Sequence, residues 1–274
     1  MLYLVATPIG NLEDITLRAL QILKTCAVIA CEDTRVTQKL LTLLGLPAKK
    51  CLTYQDHNAD EARPKVLELL KQGKNIALVS DAGMPLISDP GYKLVHEARK
   101  QGLTVTSLPG ANAVLTALQL SGLPTDKFFF GGFLPLKKAD RQKALSEVKN
   151  LSATLIFYES PKRLLKTLED IAEILGERDM VIARELTKKF EEVRLGTPKN
   201  LLDYYQENPI KGEVVLVINR GNLTQRPTPE QVKQLLKKEL KNLSVRSAAE
   251  KISVITGYSK KEVYSWALDI NAGK

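Results

Sequence analysis

Histidine and cysteine are scarce in this sequence. Its 274 residues include two histidines, His57 and His96, and three cysteines without the spacing of a metal-binding motif. A site built on several histidines is therefore excluded, and metal catalysis is disfavoured. Because the cysteines are odd in number, we expect reduced thiols packed in a cytoplasmic protein rather than a disulfide framework.

Several functional motifs and long apolar runs are also missing. The chain has no Walker-type G-x-x-x-x-G-K-[ST], no G-x-G-x-x-G and no G-x-S-x-G. These absences argue against a P-loop nucleotide site, the usual dinucleotide fingerprint and a hydrolase nucleophile elbow. Lys or Arg interrupts every apolar run before it reaches bilayer length, and a strand-like segment begins at residue 2. We therefore expect neither a membrane span nor a signal peptide.

Positive charge is in excess, and much of it lies near the C-terminus. The formal net charge is +9, and residues 226–274 carry ten Lys/Arg against five Asp/Glu, which is +5. A second basic cluster occupies residues 137–143. Such clusters indicate either contact with a phosphate backbone or a solvated helical surface that keeps the protein soluble.

Short apolar runs alternate with helical patterns along most of the chain. The first region, residues 1–121, predicts a mainly parallel sheet with helices on both faces. Its strands are expected near 2–6, 27–31, 50–53, 75–79 and 104–108. A second α/β region, residues 122–222, predicts strands near 128–132, 153–158, 179–184 and 213–218, and a half-exposed strand at 191–195. Residues 223–274 predict only helices, so we expect two α/β domains and a small helical extension.

Residues 80–91 are the most informative segment. They follow an apolar strand and contain two glycines and two prolines. This composition predicts a tight, stiff loop at the carboxyl end of the strand, where α/β proteins bind ligands. Residues 7–11 and 109–113 follow two other strands in the same manner. Three such turns predict a pocket built largely from backbone groups.

Polar side chains follow strands at this same edge. Asp81 can accept hydrogen bonds from ribose hydroxyls or an amine, or it can cap backbone N–H groups of its own loop. Asn112 begins a helix, either as a plain N-cap or beside an anionic ligand group. Residues 31–35 and 53–58 form either helix caps and polar loops or a rim that grips a polar substrate.

Seven motifs, in order, resemble one known family. They are VATPIGN at 5–11, CEDTR at 31–35, SDAGMPLISDPG at 80–91, PGANA at 109–113, FYESPKR at 157–163, RELTK at 184–188 and GEVVLVI at 212–218. Together they resemble the bacterial ribosomal RNA small subunit methyltransferase I family, within the tetrapyrrole-methylase-like superfamily of S-adenosylmethionine enzymes. The resemblance implies a homodimer, with the cofactor in the cleft between two α/β domains. The implied reaction is methyl transfer to the ribose 2′-hydroxyl of a cytidine in the decoding region of 16S rRNA.

The resemblance also implies which residues line the cofactor site. They are Pro8, Asp81, Ala82, Gly83, Met84, Ile87, Ser88, Asn112 and Ala113 from the first domain, and Tyr158, Glu159, Thr187 and Val214 from the second. Three segments depart from the family pattern. Met84 replaces Thr, Ala111-Asn112 replaces Pro-Ser, and TYQDHN at 53–58 replaces TYHEHN.

A base would help the ribose hydroxyl to attack, because its proton must leave. The candidates are Glu32, His57, Glu159 and Lys188, the last only if burial makes it neutral, and the sequence does not rank them. Arg35 and His57 are predicted to hold the target nucleotide. RNA phosphates are expected to bind the C-terminal lysines Lys233, Lys237, Lys238 and Lys241.

Two other functions stay open at this point. A tetrapyrrole methylase has the same fold, but its first loop normally reads GPGD where this chain has ATPIGN. A porphyrin-like substrate also gives no reason for a basic helical tail. A non-catalytic rRNA-binding assembly factor would explain the charge but not three ligand-type loops.

Overall fold

The computed structural model describes residues 1–221, 228–240, 243–256 and 258–271. The chain separates into two compact units, Met1–Arg220 and Gly221–Lys274. Two five-stranded sheets lie in the first unit. They fall on either side of the boundary predicted at residues 121 and 122, and that boundary stays a prediction.

The first sheet is entirely parallel. Its strands are Leu2–Val5 (β1), Val28–Cys31 (β2), Cys51–Thr53 (β3), Ile76–Val79 (β4) and Val105–Leu108 (β5). They lie in the order β3-β2-β4-β1-β5. The helices are Leu17–Thr25 (α1), Thr34–Leu43 (α2), Ala59–Lys71 (α3), Tyr92–Lys100 (α4) and Ala113–Leu120 (α5), and a short 3-10 turn spans Leu12–Asp14.

Helices cover both faces of this sheet, as the sequence predicted. Leu2 and Leu78 belong to a core shared with α3 and α4, whereas Val5 and Ile29 pack in a core with α1 and α2. Both β2 and β4 are buried along their whole length. Continuous burial explains their uninterrupted apolar sequence, which is typical of parallel strands.

The second sheet is mostly antiparallel. Its strands are Phe128–Phe133 (β6), Thr154–Glu159 (β7), Met180–Arg184 (β8), Glu192–Gly196 (β9) and Val214–Ile218 (β10), in the order β6-β7-β10-β8-β9. Only β6 and β7 pair in parallel. The helices on this part of the chain are Lys138–Val148 (α6), Leu164–Leu175 (α7) and Pro198–Glu207 (α8). Pro161 suits the first turn of a helix, but α7 begins at Leu164 because residues 161–163 form a turn.

One member of the predicted basic cluster at 137–143 is buried. The Arg141 Nε donates to Asp170 Oδ2 at 2.6 Å, and the two side chains are 5% and 1% exposed. Arg141 therefore joins α6 to α7 inside the fold and is not available to a phosphate, since a buried charge needs its partner. Lys137, Lys138 and Lys143 are exposed.

The described parts of the second unit consist of three helices around an apolar core. The helices are Pro229–Glu239 (α9), Val245–Thr256 (α10) and Lys260–Asn271 (α11). Val232, Leu236 and Ile252 are among the buried residues. Ser259 and Glu262 form a capping box before α11, since Ser259 Oγ accepts from the Glu262 N–H and the Glu262 carboxylate accepts from the Ser259 N–H. Lys241 and Gly257, a glycine that the sequence predicts as a helix stop, lie outside the described residues.

No helix in the described ranges has both the length and the apolar character required to cross a bilayer.

Candidate functional site

A cavity of about 440 Å³ lies between the carboxyl edge of the first sheet and one end of the second. Twelve of the residues predicted from the sequence line it: Glu32, Asp81, Ala82, Gly83, Met84, Ile87, Ser88, Asn112, Ala113, Tyr158, Glu159 and Val214. Five do not: Pro8, Arg35, His57, Thr187 and Lys188. The geometry thus gathers most of the predicted cofactor site into one place.

Hydrogen bonds join two of the cavity loops. The main chains of Thr7 and Gly83 exchange two hydrogen bonds, at 2.9 and 3.0 Å. The Ser80 hydroxyl donates to the Gly83 carbonyl at 3.2 Å, and the Thr7 hydroxyl donates to the Ser80 carbonyl at 3.2 Å. These contacts hold the loop that follows β4 against the loop that follows β1. Pro8 lies in the loop that follows β1, and its neighbour Ile9 lines the cavity.

Backbone strain is concentrated in the cavity loops and in a loop that packs on them. Among the described residues, the non-glycine positions with positive φ are Leu86, Ser88, Glu185 and Thr187, at 74°, 66°, 48° and 65°. Residues in this region cost on the order of 1–3 kcal/mol each, and they persist where the surrounding structure holds them. Their clustering is typical of ligand sites.

Thr187 and Lys188 cover the first loop without lining the cavity. The Asn11 N–H donates to Thr187 Oγ1 at 3.2 Å. Gly10 has no side chain, and a Cβ there would collide with the Lys188 side chain. The RELTK segment therefore closes over the β1 loop, and its contact depends on the glycine.

Lys188 is held as a cation. Its Nζ lies 3.0 Å from Glu185 Oε1 and 3.1 Å from Glu213 Oε2. Burial alone would lower the pKa of Lys188, but the hydrogen bonds and ion pairs with these carboxylates outweigh it and raise the pKa. A neutral lysine base, which the sequence left open, has no support from this geometry.

Glu159 is engaged in its own local network. The residue is 2% exposed. Its Oε1 accepts from the Ser160 N–H at 2.7 Å, and its Oε2 accepts from the Thr167 hydroxyl at 2.6 Å. Arg163 Nε lies 3.2 Å from Oε1. Because both oxygens are bonded, Glu159 fixes the turn after β7 and is poorly placed to remove a proton.

Arg35 and His57 are on the outer rim. The Arg35 guanidinium is 89% exposed and forms a fork with Asp33, with Nη2 2.6 Å from Oδ2. Asp33 also accepts from the Arg35 N–H at 2.8 Å, which caps α2. His57 is exposed in the turn before α3. Both predicted rim residues can therefore reach a large ligand outside the cavity.

The two predicted capping residues differ in what they cap. Asn112 Oδ1 accepts from the Leu115 N–H at 2.9 Å and is the N-cap of α5. Asp81 does not cap its own loop, because its Oδ1 accepts from the Asp33 N–H at 3.2 Å, in the loop after β2. Asp81 thus links two strand exits, and it also lines the cavity.

Three carboxylates concentrate negative charge on the cavity wall: Glu32, Asp81 and Asp89. Burial raises the pKa of each, and the repulsion of neighbouring carboxylates adds to it. The pKa of Asp89 rises to about 6, from burial first and then from Glu32 and Asp81. In the described part of the chain no cluster of His, Cys, Asp or Glu could hold a metal ion. The negative charge of the wall suits a cationic ligand.

Several residues of the wall were not predicted as site residues from the sequence. They are Ile9, Asp89, Phe133, Ser160, Pro161, Gly212, Glu213 and Val215. Most flank residues that were predicted, and Asp89 lies inside the 80–91 segment. Phe133 gave no polar signal because it ends the apolar run FFFGGF.

Comparison with known proteins decides the family. Residues 1–202 match the family of Tetrapyrrole (Corrin/Porphyrin) Methylases, and residues 226–271 match the RsmI C-terminal HTH domain. A Mesorhizobium japonicum protein named ribosomal RNA small subunit methyltransferase I is 46% identical, over 98% of this chain and 92% of that protein. Its namesake from Halalkalibacterium halodurans is 52% identical, over 84% and 79%. The chain belongs to the ribosomal RNA small subunit methyltransferase I family. The resemblance drawn from the seven sequence motifs is thereby confirmed.

Solved structures with the same fold have other named functions. The cobalt precorrin-4 methyltransferase of cobalamin biosynthesis superimposes with a TM-score of 0.59 at 18% identity, covering 80% of this chain and 94% of that one. A diphthine synthase gives 0.60 at 15% identity, covering 80% and 89%. At such identities the likeness shows the fold alone. It confirms the predicted tetrapyrrole-methylase fold.

The Asp89 carboxyl should make stability depend on pH. Its pKa of about 6 lies above the ordinary value of about 4. Its stabilising contribution is therefore complete below about pH 4 and lost as the pH rises through 6. We expect Asp89→Asn to raise the melting temperature at pH 7.5, with the gain vanishing towards pH 4, as measured by circular dichroism.

Asp33→Asn is a control of opposite sign. Hydrogen bonds from Arg35 lower the pKa of Asp33 to about 2. Its stabilisation is present above the unfolded pKa of about 4 and is lost as the pH falls towards 2. The asparagine can still cap α2, but it should lower the melting temperature at pH 7.5. If Asp89→Asn and the unaltered protein have equal melting temperatures at pH 7.5, the raised pKa of Asp89 is contradicted.

Proposed function

We propose that this protein transfers the methyl group of S-adenosylmethionine to the ribose 2′-hydroxyl of a cytidine in the decoding region of 16S rRNA. The substrate is the free rRNA or the small ribosomal subunit, and the protein acts in the cytoplasm as a homodimer. The proposal rests on the carboxylate-lined cavity in a chain whose relatives bear the names given above.

The cavity has the size and chemistry that the cofactor requires. A volume of about 440 Å³ lies within the range of small-molecule sites. When bound, S-adenosylmethionine supplies an activated methyl group on a positively charged sulfonium. Glu32, Asp81 and Asp89 provide the complementary negative charge. Ala113 lines the cavity at the first turn of α5, where N–H groups without helical partners suit the carboxylate end of the molecule.

Orientation supplies most of the catalysis in this proposal. The sulfonium is already a good leaving group, so no acid is needed on that side. Placing the ribose oxygen in line with the methyl carbon can contribute roughly 7–11 kcal/mol. The loops joined through Thr7, Ser80 and Gly83 give the rigidity that such placement requires.

Glu32 is the best placed of the four candidate bases. It lines the cavity, whereas Glu159 and Lys188 are engaged elsewhere and His57 is on the outer rim. Burial and then neighbouring carboxylates raise the pKa of Glu32, which improves its match to neutral pH. With S-adenosylmethionine bound, the Glu32 carboxylate would take the ribose proton as the oxygen attacks the methyl carbon, and the sulfur would leave with the electron pair of the carbon–sulfur bond. A base in this place adds about 10²–10⁴-fold.

The function is tested by mapping methylation on rRNA. The purified protein is incubated with labelled S-adenosylmethionine and small subunits from cells that lack it, and 2′-O-methyl positions are located by mass spectrometry. We expect one new ribose methyl group on a decoding-region cytidine. Transfer to a tetrapyrrole but not to rRNA would replace this proposal with small-molecule methylation. Stabilisation by rRNA without stabilisation by S-adenosylmethionine would favour an assembly factor.

Arg35→Ala should separate substrate binding from cofactor binding. The exposed guanidinium is proposed to contact the target nucleotide, and a hydrogen bond to a charged group is worth about 1.5–3 kcal/mol. We expect methylation at low RNA concentration to fall at least about tenfold, with the Kd for S-adenosylmethionine unchanged by calorimetry. Arg18→Ala, on the exposed side of α1, is the matched control and should change neither. Equal loss of cofactor affinity would overturn the role of Arg35.

The lysines of α9 are proposed to bind RNA phosphates. Lys237 and Lys238 are exposed and Lys233 is half-buried. Reversing all three to Glu should weaken rRNA binding and flatten its dependence on salt, since each phosphate contact contributes roughly 0.7–0.9 to the log–log slope. Reversal of Lys71, Lys74 and Lys100, exposed near the amino edge of the first sheet, matches the change in net charge. Identical salt dependence in the two triple variants would leave α9 only a role in solubility.

A further inference from the structure

Phe133, the last residue of β6, has an aromatic ring to which none of the roles above is assigned. Phe133 lines the cavity, yet it is 59% exposed. A ring of this size gains from burial, so its exposure at a site edge needs an explanation. Tyr158 is the other aromatic residue of the wall in the described chain, and it is only partly exposed.

A bulge in β6 brings Phe133 to this place. β6 pairs with β7 as far as Phe130 opposite Ile156, then the register shifts, and pairing resumes with Phe133 opposite Tyr158. Bulges next to functional sites redirect a side chain. Gly132, inside the bulge, has a φ of 63°, which favours glycine.

The bulge also meets the loop that follows β4. A Cβ on Gly132 would lie 3.3 Å from the Ser88 hydroxyl, so the glycine lets the end of β6 approach the 80–91 loop closely. Phe133 therefore sits where the second sheet meets the cavity wall of the first.

Aromatic contacts support the Phe133 ring. The Phe133 and Tyr158 rings have their centroids 5.3 Å apart at 55°, and Phe130 meets Tyr158 at 5.0 Å and 70°. Tyr158 thus contacts both rings. An exposed aromatic side chain is what an unpaired base stacks on in RNA recognition.

We propose that Phe133 stacks on the nucleobase of the RNA nucleotide whose ribose is methylated. The inference rests on the proposed function. A cavity of about 440 Å³ holds one small molecule, so the nucleotide must present its ribose from the mouth. A base resting on Phe133 would be held at the mouth while its ribose faces Glu32 on the same wall. Because stacking is tolerant of base identity, Phe133 is a positioning residue rather than a reader of sequence.

Phe133→Leu tests the inference against a matched variant on the same strand. Phe128 is 44% exposed and does not line the cavity, so Phe128→Leu makes the same chemical change beside the site. We expect Phe133→Leu to raise the KM for the RNA substrate about 5- to 150-fold, the range that one lost stacking contact gives. The Kd for S-adenosylmethionine should not change. Phe128→Leu should leave both constants unchanged, and Phe133→Trp should restore a KM close to that of the unaltered protein.

If the Phe133 ring contacts something other than a nucleobase, each alternative gives a distinct result. A weaker Kd for S-adenosylmethionine in Phe133→Leu would make the ring part of the cofactor wall and overturn the inference. Loss of the dimer by light scattering would instead assign the ring to a second copy of this chain. Equal KM values for Phe133→Leu and Phe128→Leu would also overturn it. If the unaltered protein methylates no RNA, the proposed function itself fails, which is distinguishable from failure at Phe133.

Discussion

The packing of α5 on the second sheet is the contact on which the site depends. Val114, Ala117 and Leu118 of this helix share a buried core with residues of β7, β8 and β10, including Ile156 and Val217. Burying a Val or Leu side chain stabilises by about 1.5–3 kcal/mol. Since Asn112 and Ala113 at the start of α5 line the cavity, as do Val214 and Val215 of β10, the same packing sets the width of the cleft.

Unfavourable interactions are concentrated at the cavity wall. Its carboxylates repel one another, and Ser88 of the wall and Leu86 in the same loop have positive φ. The surrounding contacts are well matched by contrast, since Glu159 has both oxygens bonded and Arg141 is paired with Asp170. Backbone strain and carboxylate repulsion thus occur at the site where a bound ligand could compensate them. The surrounding elements hold the strained residues in place.

Much of the fold could be predicted from the sequence because its signals are local. Continuous apolar runs located β2 and β4 to within about a residue, and Gly/Pro turns placed the ligand loops at the carboxyl edge. The antiparallel pairing of β7, β8 and β10 was not predicted. Strand direction depends on which strands become neighbours, and that is decided by contacts between distant parts of the chain.

Some residues of the candidate site could likewise be predicted from the sequence, and others depend on contacts between distant parts of the chain. Asp81 was predicted because it follows an apolar strand and enters a Gly/Pro loop, whereas Ser88 was predicted only from the family resemblance. The charged state of Lys188 was not predicted, because one of its two carboxylate partners, Glu213, is 25 positions away in the sequence. Phe133 was missed for another reason: an apolar run does not show that a bulge will turn its last ring towards a cavity.

The placement of charge explains how an acidic cavity can serve a polyanionic substrate. RNA phosphates would be repelled by Glu32, Asp81 and Asp89, whereas a ribose hydroxyl and a nucleobase are neutral. Arg35 carries positive charge on an exposed surface and does not line the cavity. Under the proposed function, the backbone is therefore held outside while only neutral groups of one nucleotide approach the carboxylates. An aromatic ring at the mouth fits this arrangement of charge, because it attracts a base by stacking and adds no charge to the acidic wall.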